Sequence, residues 1–85
     1  MKNVEIYTKS TCGYCHAAKR LLTSKGVRFS DISLSQKPDM LSEMVERSNG
    51  GRTVPQIFIG DTHVGGCDEL FALDKAGKLD SLLAA

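Results

Sequence analysis

The sequence predicts an α/β fold in which a four-stranded mixed sheet is flanked by helices, in the order β-α-β-α-β-β-α. Short β-rich runs alternate along the chain with longer runs in which apolar residues recur every three or four positions. The first strand, helix and strand predict a parallel pair joined by a right-handed crossover. A Gly60-Asp61 pair between two later β-rich runs predicts a tight antiparallel hairpin.

The first half of the chain contains the strand, helix and strand of the parallel unit. Alternation of apolar and polar residues over 4–8 predicts the first strand, and the same pattern returns over 27–32. Between them, apolar residues in pairs four apart predict a helix over 14–25, which Gly26 ends. The first strand therefore leads the chain directly to the start of this helix.

The second half is predicted to contain a helix, the hairpin and a final helix. Pro38 suits a first helical position, where its missing N–H costs nothing, and the Gly-rich segment 48–51 stops that helix. The remaining predicted elements are strands over 56–59 and 62–64, a helix opened by Asp68 and Glu69 and stopped by Gly77, and one further turn over 79–83.

The composition indicates one small domain, residues 1–85, without a strong overall charge. Its 11 Lys and Arg residues nearly balance its 10 Asp and Glu residues, so no overall field favours nucleic acid or an anionic membrane. No apolar run approaches the roughly 20 residues of a membrane-spanning helix, and the first residues lack the apolar segment of a signal peptide. We therefore expect a soluble, cytoplasmic monomer that binds neither nucleic acid nor membrane.

The three cysteines are the residues that predict chemistry. Their odd number, in a chain without an export signal, argues against a structural disulfide framework. Cys12 lies at the start of the first predicted helix, where free N–H groups and the positive end of the helix dipole favour a thiolate. Cys15, one helical turn later, is within reach of a bridge to Cys12. This spacing predicts a redox-active dithiol.

Two metal-based interpretations of the same residues are weaker. His16 completes the string Cys-x-x-Cys-His, which attaches c-type haem, but that chemistry needs export and a mainly helical pocket. A closed zinc site takes four ligands, whereas the chain has one Cys-x-x-Cys pair, and Cys67, His16 and His63 are scattered. We therefore expect no bound metal.

Four groups of residues give the sequence its resemblance to a known family. They are Lys9, Cys12-Gly13-Tyr14-Cys15, Thr53-Val54-Pro55 and Gly65-Gly66-Cys67-Asp68. With these motifs spread over nearly the whole chain, the sequence resembles the glutaredoxins, most closely the small bacterial dithiol members. The resemblance implies a thioredoxin fold and glutathione-dependent thiol–disulfide exchange. It also implies glutathione as co-substrate, disulfide-bonded or glutathionylated proteins as partners, and glutathione reductase as an indirect partner through glutathione.

The resemblance also implies roles for residues at matching positions. Cys12 would attack the glutathione sulfur of a mixed disulfide. A second glutathione would then remove the bound glutathione, or Cys15 would displace it by forming an internal disulfide. The implied glutathione site has Lys9 and Arg52 for a carboxylate, Tyr14 along the groove, Thr53 and Val54 for the tripeptide backbone, a cis Pro55 facing the sulfurs, and Gly66, Cys67 and Asp68 for the γ-glutamyl end.

Gly13 departs from the commonest motif of the family, which has proline at this position. Glycine also occurs here in relatives that hold an iron–sulfur cluster between two protomers, with glutathione as co-ligand. Binding of a [2Fe–2S] cluster through Cys12 and glutathione is therefore the alternative function. Thioredoxin is the nearest competitor within the fold, but its active site is normally introduced by Trp, and the chain contains none.

Overall fold

The computed structural model describes residues 2–84 and contains one four-stranded sheet with the strand order β2-β1-β3-β4. The strands are β1 (Val4–Thr8), β2 (Ser30–Ser33), β3 (Gln56–Ile59) and β4 (Thr62–Gly65). The helices are α1 (Gly13–Ser24), a 3₁₀ turn (Pro38–Met40) that leads into α2 (Leu41–Arg47), α3 (Cys67–Lys75) and α4 (Leu79–Ala84). Strand β1 is parallel to β2 and antiparallel to β3, and β3 is antiparallel to β4. The predicted mixed α/β sheet and its element order are confirmed.

The alternation of side chains along the central strands divides the core into two layers. On one face of the sheet, Ile6 and Ile57 pack with Leu22 of α1 and with apolar residues of α3 and α4. On the other face, Tyr7 and Phe58 pack with Met44 of α2 and with Leu34. Helices therefore cover both faces, and no helix within residues 2–84 is long and apolar enough to cross a membrane.

The second strand begins later than the alternating pattern predicts. The pattern covers 27–32, whereas β2 spans Ser30–Ser33 and pairs with the end of β1. The N–H of Val27 donates to the carbonyl oxygen of Leu22 at 3.2 Å, so this residue still belongs to the turn that closes α1. Val27 and Phe29 are apolar because the connection between α1 and β2 packs against the core. Their alternation with polar residues therefore resembles the pattern of a strand.

Three helix starts also differ slightly from the prediction. α1 begins at Gly13, one residue before the predicted 14, with Cys12 in the preceding capping position. The segment predicted as helical from Pro38 opens as a 3₁₀ turn, in which the N–H of Met40 donates to the carbonyl of Lys37 at 3.0 Å. α3 begins at Cys67, one residue before the predicted Asp68.

The buried side chain of Leu22 provides a test of the larger core layer. Leu22 is fully buried, whereas Leu41 on α2 remains 39% exposed. We expect Leu22→Ala to lower the free energy of unfolding by about 2–5 kcal/mol because it leaves a cavity, and Leu41→Ala to lower it by less than about 1 kcal/mol. Urea denaturation of both variants checks this. Equal losses in the two variants would contradict the core assignment.

Candidate active site

The helix α1 holds Cys12 at its N-terminal cap. The backbone of Cys12 is extended, with φ −94° and ψ 109°, so its side chain turns back over the first helical turn. Its Sγ accepts a hydrogen bond from the backbone N–H of Cys15 at 3.0 Å. An N–H directed at sulfur and the positive end of the helix dipole both stabilise the thiolate form. Cys12 is partly exposed and is therefore accessible to a disulfide in solution.

The second cysteine of the motif has a different environment. Cys15 is fully buried within the core. Burial, followed by its hydrogen bond with Cys12, raises the pKa of the Cys15 thiol to about 12. Cys15 therefore remains a protonated thiol at neutral pH. The geometry thus separates an accessible sulfur at a helix N-terminus from a protected one behind it.

A surface groove of about 240 Å³ runs beside these sulfurs. Its lining residues come from α1, the loop before β3 and the start of α3: Tyr14, Thr53, Val54, Pro55, Gly66, Cys67, Asp68 and Glu69. The carbonyl oxygen of Val54 lies 3.7 Å from the Sγ of Cys12, so the groove ends at the reactive sulfur. The peptide bond between Val54 and Pro55 is cis, as the resemblance implies.

The groove contains all of the predicted glutathione-site residues except two. Lys9 and Arg52 are exposed and do not line it. The backbone carbonyl of Lys9 accepts the N–H of Cys12 at 3.2 Å, so this residue contributes to the active-site loop through its main chain. The two cations therefore remain outside the groove itself, on segments adjacent to it.

The start of α3 forms one wall of the groove. Gly66 caps this helix, and its N–H donates to the Oε1 of Glu69 at 2.7 Å. Gly65 has φ +112°, a backbone conformation that favours glycine, and a Cβ there would also lie 2.9 Å from the same carboxylate oxygen. Glu69 was not predicted as a site residue, although a Glu three positions after a helix cap was the available signal.

Cys67 lies between the core and the groove. It is 8% exposed, and burial, together with the negative charge of Asp68, raises the pKa of its thiol. A protonated thiol is a poor nucleophile. The buried Cys67 is therefore less suited to nucleophilic attack than the more exposed Cys12.

A polar cluster beneath the active-site loop fixes α1 against the sheet. The Oγ1 of Thr8 donates to one carboxylate oxygen of Asp31 at 2.6 Å, and the Nζ of Lys19 donates to the other at 2.8 Å. Burial acts to raise the pKa of Asp31, but these hydrogen bonds outweigh it and lower the pKa below its usual value. The cluster joins β1, β2 and α1 close to the point where Cys12 emerges.

The rings of the two histidines lie within hydrogen-bonding distance of other groups, not of each other. His16 is exposed, with its Nε2 3.3 Å from the carbonyl oxygen of Ser10. His63 lies on β4 and contacts Gln56. Over residues 2–84, no group of three or more His, Cys, Asp and Glu side chains is arranged to hold a metal ion.

The sheet has the strand order β2-β1-β3-β4, a Cys-x-x-Cys pair lies at the N-terminus of α1, and a cis proline lies in the loop before β3. Together these features define a thiol–disulfide oxidoreductase of thioredoxin-like fold. The protein-family model for glutaredoxin matches residues 4–64. Glutaredoxin 3 of Escherichia coli (strain K12) is 58% identical over 83 residues, which is 98% of this chain and 99% of that protein.

Solved structures agree with this assignment. The solution structure of glutaredoxin from Brucella melitensis is 55% identical with a TM-score of 0.83, covering 98% of this chain and 89% of that one. The crystal structure of a buckwheat glutaredoxin–glutathione complex is 35% identical with a TM-score of 0.88, covering 96% and 76%. The chain belongs to the glutaredoxin family of glutathione-dependent thiol–disulfide oxidoreductases.

The raised pKa of Cys15 predicts a pH dependence of stability. Above the ordinary thiol pKa of 9.0 the unfolded chain releases this proton, whereas the folded protein keeps it up to about 12. The contribution of Cys15 to stability is therefore lost as pH rises above 9.0, at up to about 1.4 kcal/mol per pH unit. We expect Cys15→Ala to lack this decline.

Urea denaturation of the reduced wild type and of Cys15→Ala, at pH values on both sides of the ordinary thiol pKa, checks this expectation. The comparison with the variant removes contributions from other titrating groups, including Cys67 and Tyr7. Parallel pH profiles of the unfolding free energy in the two proteins would contradict it.

Proposed function

We propose that this glutaredoxin reduces glutathione mixed disulfides and protein disulfides with Cys12 as nucleophile and Cys15 as resolving thiol. The observation that carries the proposal is the difference between the environments of Cys12 and Cys15. The Sγ of Cys12 accepts an N–H at a helix N-terminus beside an open groove, whereas Cys15 is fully buried with its thiol pKa raised to about 12. Attack from solvent is thereby restricted to one sulfur.

The first step transfers glutathione to the enzyme. The Cys12 thiolate attacks the glutathione sulfur of a mixed disulfide, and that disulfide breaks as the Cys12–glutathione bond forms. The departing thiolate takes a proton from solvent and leaves as the reduced thiol. The N–H of Cys15 donates to the Cys12 sulfur at 3.0 Å and stabilises its negative charge before attack.

Two routes return Cys12 to its reduced form. In the first, a second glutathione thiolate attacks the bound glutathione sulfur, which releases glutathione disulfide and the Cys12 thiolate. In the second, Cys15 loses its proton and attacks the Cys12 sulfur, which releases reduced glutathione and forms the internal disulfide. Two further glutathione molecules then reduce this disulfide, and glutathione reductase acts only on the glutathione disulfide produced.

The groove supports binding of glutathione in one direction. Val54 presents backbone groups next to the Cys12 sulfur, suited to pairing with the extended cysteinyl part of the tripeptide. The N-terminus of α3 offers N–H groups for the α-carboxylate of the γ-glutamyl end, and the Asp68 carboxylate suits its amine. The buckwheat relative was solved as a complex with glutathione.

Lys9 and Arg52 would then attract the glycine carboxylate from outside the groove. Both side chains are exposed, so their attraction acts mainly on the approach of an anionic ligand. We further propose that the protein works as a monomer in a reducing cytoplasm. The three free thiols among the described residues fit such a compartment.

Cluster binding is the alternative that Gly13 favours. A Cβ at Gly13 would meet nothing within 4 Å, so the surface at this residue is open. A [2Fe–2S] cluster would then take one Cys12 and one glutathione from each of two protomers. Anaerobic purification and reconstitution with glutathione, iron and sulfide tests this alternative. A coloured dimer supports it, and a colourless monomer contradicts it.

The two sulfur roles predict different effects of serine substitution. Cys12→Ser should abolish turnover because it removes the nucleophile. Cys15→Ser should retain turnover of a small glutathione mixed disulfide by the first route, while losing reduction of substrates that require the internal disulfide. Steady-state assays coupled through glutathione reductase measure both variants beside the wild type. Residual turnover by Cys12→Ser would contradict the assignment of Cys12 as the nucleophile.

The charge of Asp68 provides a test of the binding direction. Asp68→Asn should raise the KM for a glutathione mixed disulfide by roughly tenfold, because a charged hydrogen bond is worth about 1.5–3 kcal/mol. Asp61→Asn is the matched control, since Asp61 is an exposed carboxylate in the hairpin turn, outside the groove. A KM that changes equally in both variants would show a general effect of net charge instead.

A further inference from the structure

A buried amide lies directly behind the groove wall. Gln56, the first residue of β3, is 6% exposed. Its Nε2 donates to the carbonyl oxygen of Thr53 at 3.0 Å and lies 3.4 Å from the Oγ1 of the same residue. Its Oε1 lies 2.7 Å from the Nε2 of His63. One side chain thus connects the groove-lining loop to the neighbouring strand.

The chemistry of these groups fixes the direction of both hydrogen bonds. A carbonyl oxygen can only accept, so the NH₂ group of Gln56 must face Thr53. The amide oxygen of Gln56 therefore faces His63, and the Nε2 of His63 must carry a proton and donate to it. The Thr53 carbonyl and the His63 donor thus select the same orientation of the amide. Without that donor, the buried amide oxygen would lose its partner, and the amide would be held only by its hydrogen bonds to Thr53.

His63 is itself held by stacking on an aromatic platform. It pairs with Phe58 across the β3–β4 hairpin, and the two rings stack with centroids 4.8 Å apart. The guanidinium of Arg47 lies 4.1 Å from the centroid of the Phe58 ring, and it also donates to the Oε1 of Glu5 at 2.9 Å. The donor of His63 is therefore positioned by neighbours on both the sheet and α2.

The space around the Gln56 amide is closed on the side of Gly51. A Cβ at Gly51 would lie 2.9 Å from the Nε2 of Gln56 and 2.9 Å from the Cβ of Ser48. The φ of Gly51 lies outside the left-handed region, so this contact is what favours glycine there. The amide thus has little room to leave the Thr53 carbonyl.

We propose that Gln56 and His63 are positioning residues for glutathione binding. Through the carbonyl of Thr53 they set the path of the Thr53–Val54 backbone, where the groove meets the Cys12 sulfur. The inference rests on the proposed function, because it takes Thr53 and Val54 as the segment that pairs with the tripeptide. A displaced backbone weakens every bond that this segment makes to the ligand. It leaves unchanged the N–H of Cys15 that donates to the Cys12 sulfur, because that donor lies on α1.

Two substitutions of His63 separate the hydrogen bond from the packing. His63→Phe keeps a ring on Phe58 and removes the donor to Gln56. His63→Gln restores a donor, since its amide nitrogen can take the place of Nε2. We expect His63→Phe to raise the KM for a small glutathione mixed disulfide by at least about fivefold with kcat within about twofold, and His63→Gln to return KM to within about twofold of wild type.

Three further measurements make the result specific. Alkylation of Cys12 by iodoacetamide, which does not use the groove, should proceed at the wild-type rate in both His63 variants. Gly51→Ala, which displaces the Gln56 amide from the opposite side, should raise KM as His63→Phe does. Thr62→Ala is the control, because Thr62 is an exposed neighbour of His63 on the same strand and should leave KM unchanged.

The outcomes distinguish the inference from the proposed function. Wild-type turnover with an unchanged KM in His63→Phe would overturn the inference alone. A raised KM that His63→Gln does not restore, or a slower alkylation of Cys12 in His63→Phe, would indicate a general structural effect and would also overturn it. Absence of turnover in the wild type would overturn the proposed function and the inference together.

Discussion

The hydrogen bond from the N–H of Cys15 to the Sγ of Cys12 is the interaction on which the site depends. At 3.0 Å it exists only because Cys12 has an extended backbone immediately before α1. That position requires β1 to end at Thr8 and α1 to begin five residues later, with a fixed angle between them. The buried packing of Leu22 on α1 against Ile6 on β1 supplies this constraint, and the carboxylate of Asp31 adds to it by binding Thr8 and Lys19. Electrostatic stabilisation of the Cys12 sulfur therefore depends on how α1 is positioned relative to β1.

The two faces of the sheet contribute differently to function. The face covered by α1, α3 and α4 holds the larger apolar core, and Cys15 is one of the buried residues of α1. The face covered by α2 contains a polar and aromatic cluster, in which the hydroxyl of Tyr7 accepts from Arg47 and donates to Glu43, each at 2.8 Å. Burial raises the pKa of Tyr7, so its hydroxyl remains a donor at neutral pH. The first face positions the sulfurs, and the second supports the loop that lies opposite them.

Local pattern in the sequence was sufficient for the order of elements and for the dithiol. The two periodicities and the Gly60-Asp61 turn are short-range signals, and Cys12 and Cys15 are neighbours in the chain. The start of β2 was misplaced because apolar residues at 27 and 29 serve the core from a connection as well as they would from a strand. The groove residues were grouped through a family resemblance, since segments about 40 residues apart approach each other only in the folded sheet.

The contacts of Gln56 and His63 could not be predicted from the sequence. Gln56 lies two residues before Phe58 on the same face of β3, and His63 pairs with Phe58 beside the point where the register shifts between Ile57 and Phe58. A shift of one position moves a side chain to the other face of a sheet, so sequence spacing alone does not reveal which residues face each other. The exposed locations of Lys9 and Arg52 have a similar origin, because charge in a sequence does not specify whether a side chain enters a groove or lies beside it.

The complete burial of Cys15 has a consequence for the order of events in a catalytic cycle. A sulfur that no dissolved molecule can contact reacts only with a partner already bonded to its own chain. Formation of the internal disulfide is then first order in the enzyme–substrate adduct, and its rate does not depend on the amount of thiol in the surroundings. Release of a bound thiol by the free tripeptide does depend on that amount. The cellular glutathione concentration would thus decide which of the two routes a given adduct follows. Because Cys15 is buried, its intramolecular attack competes with attack by free glutathione on the same adduct.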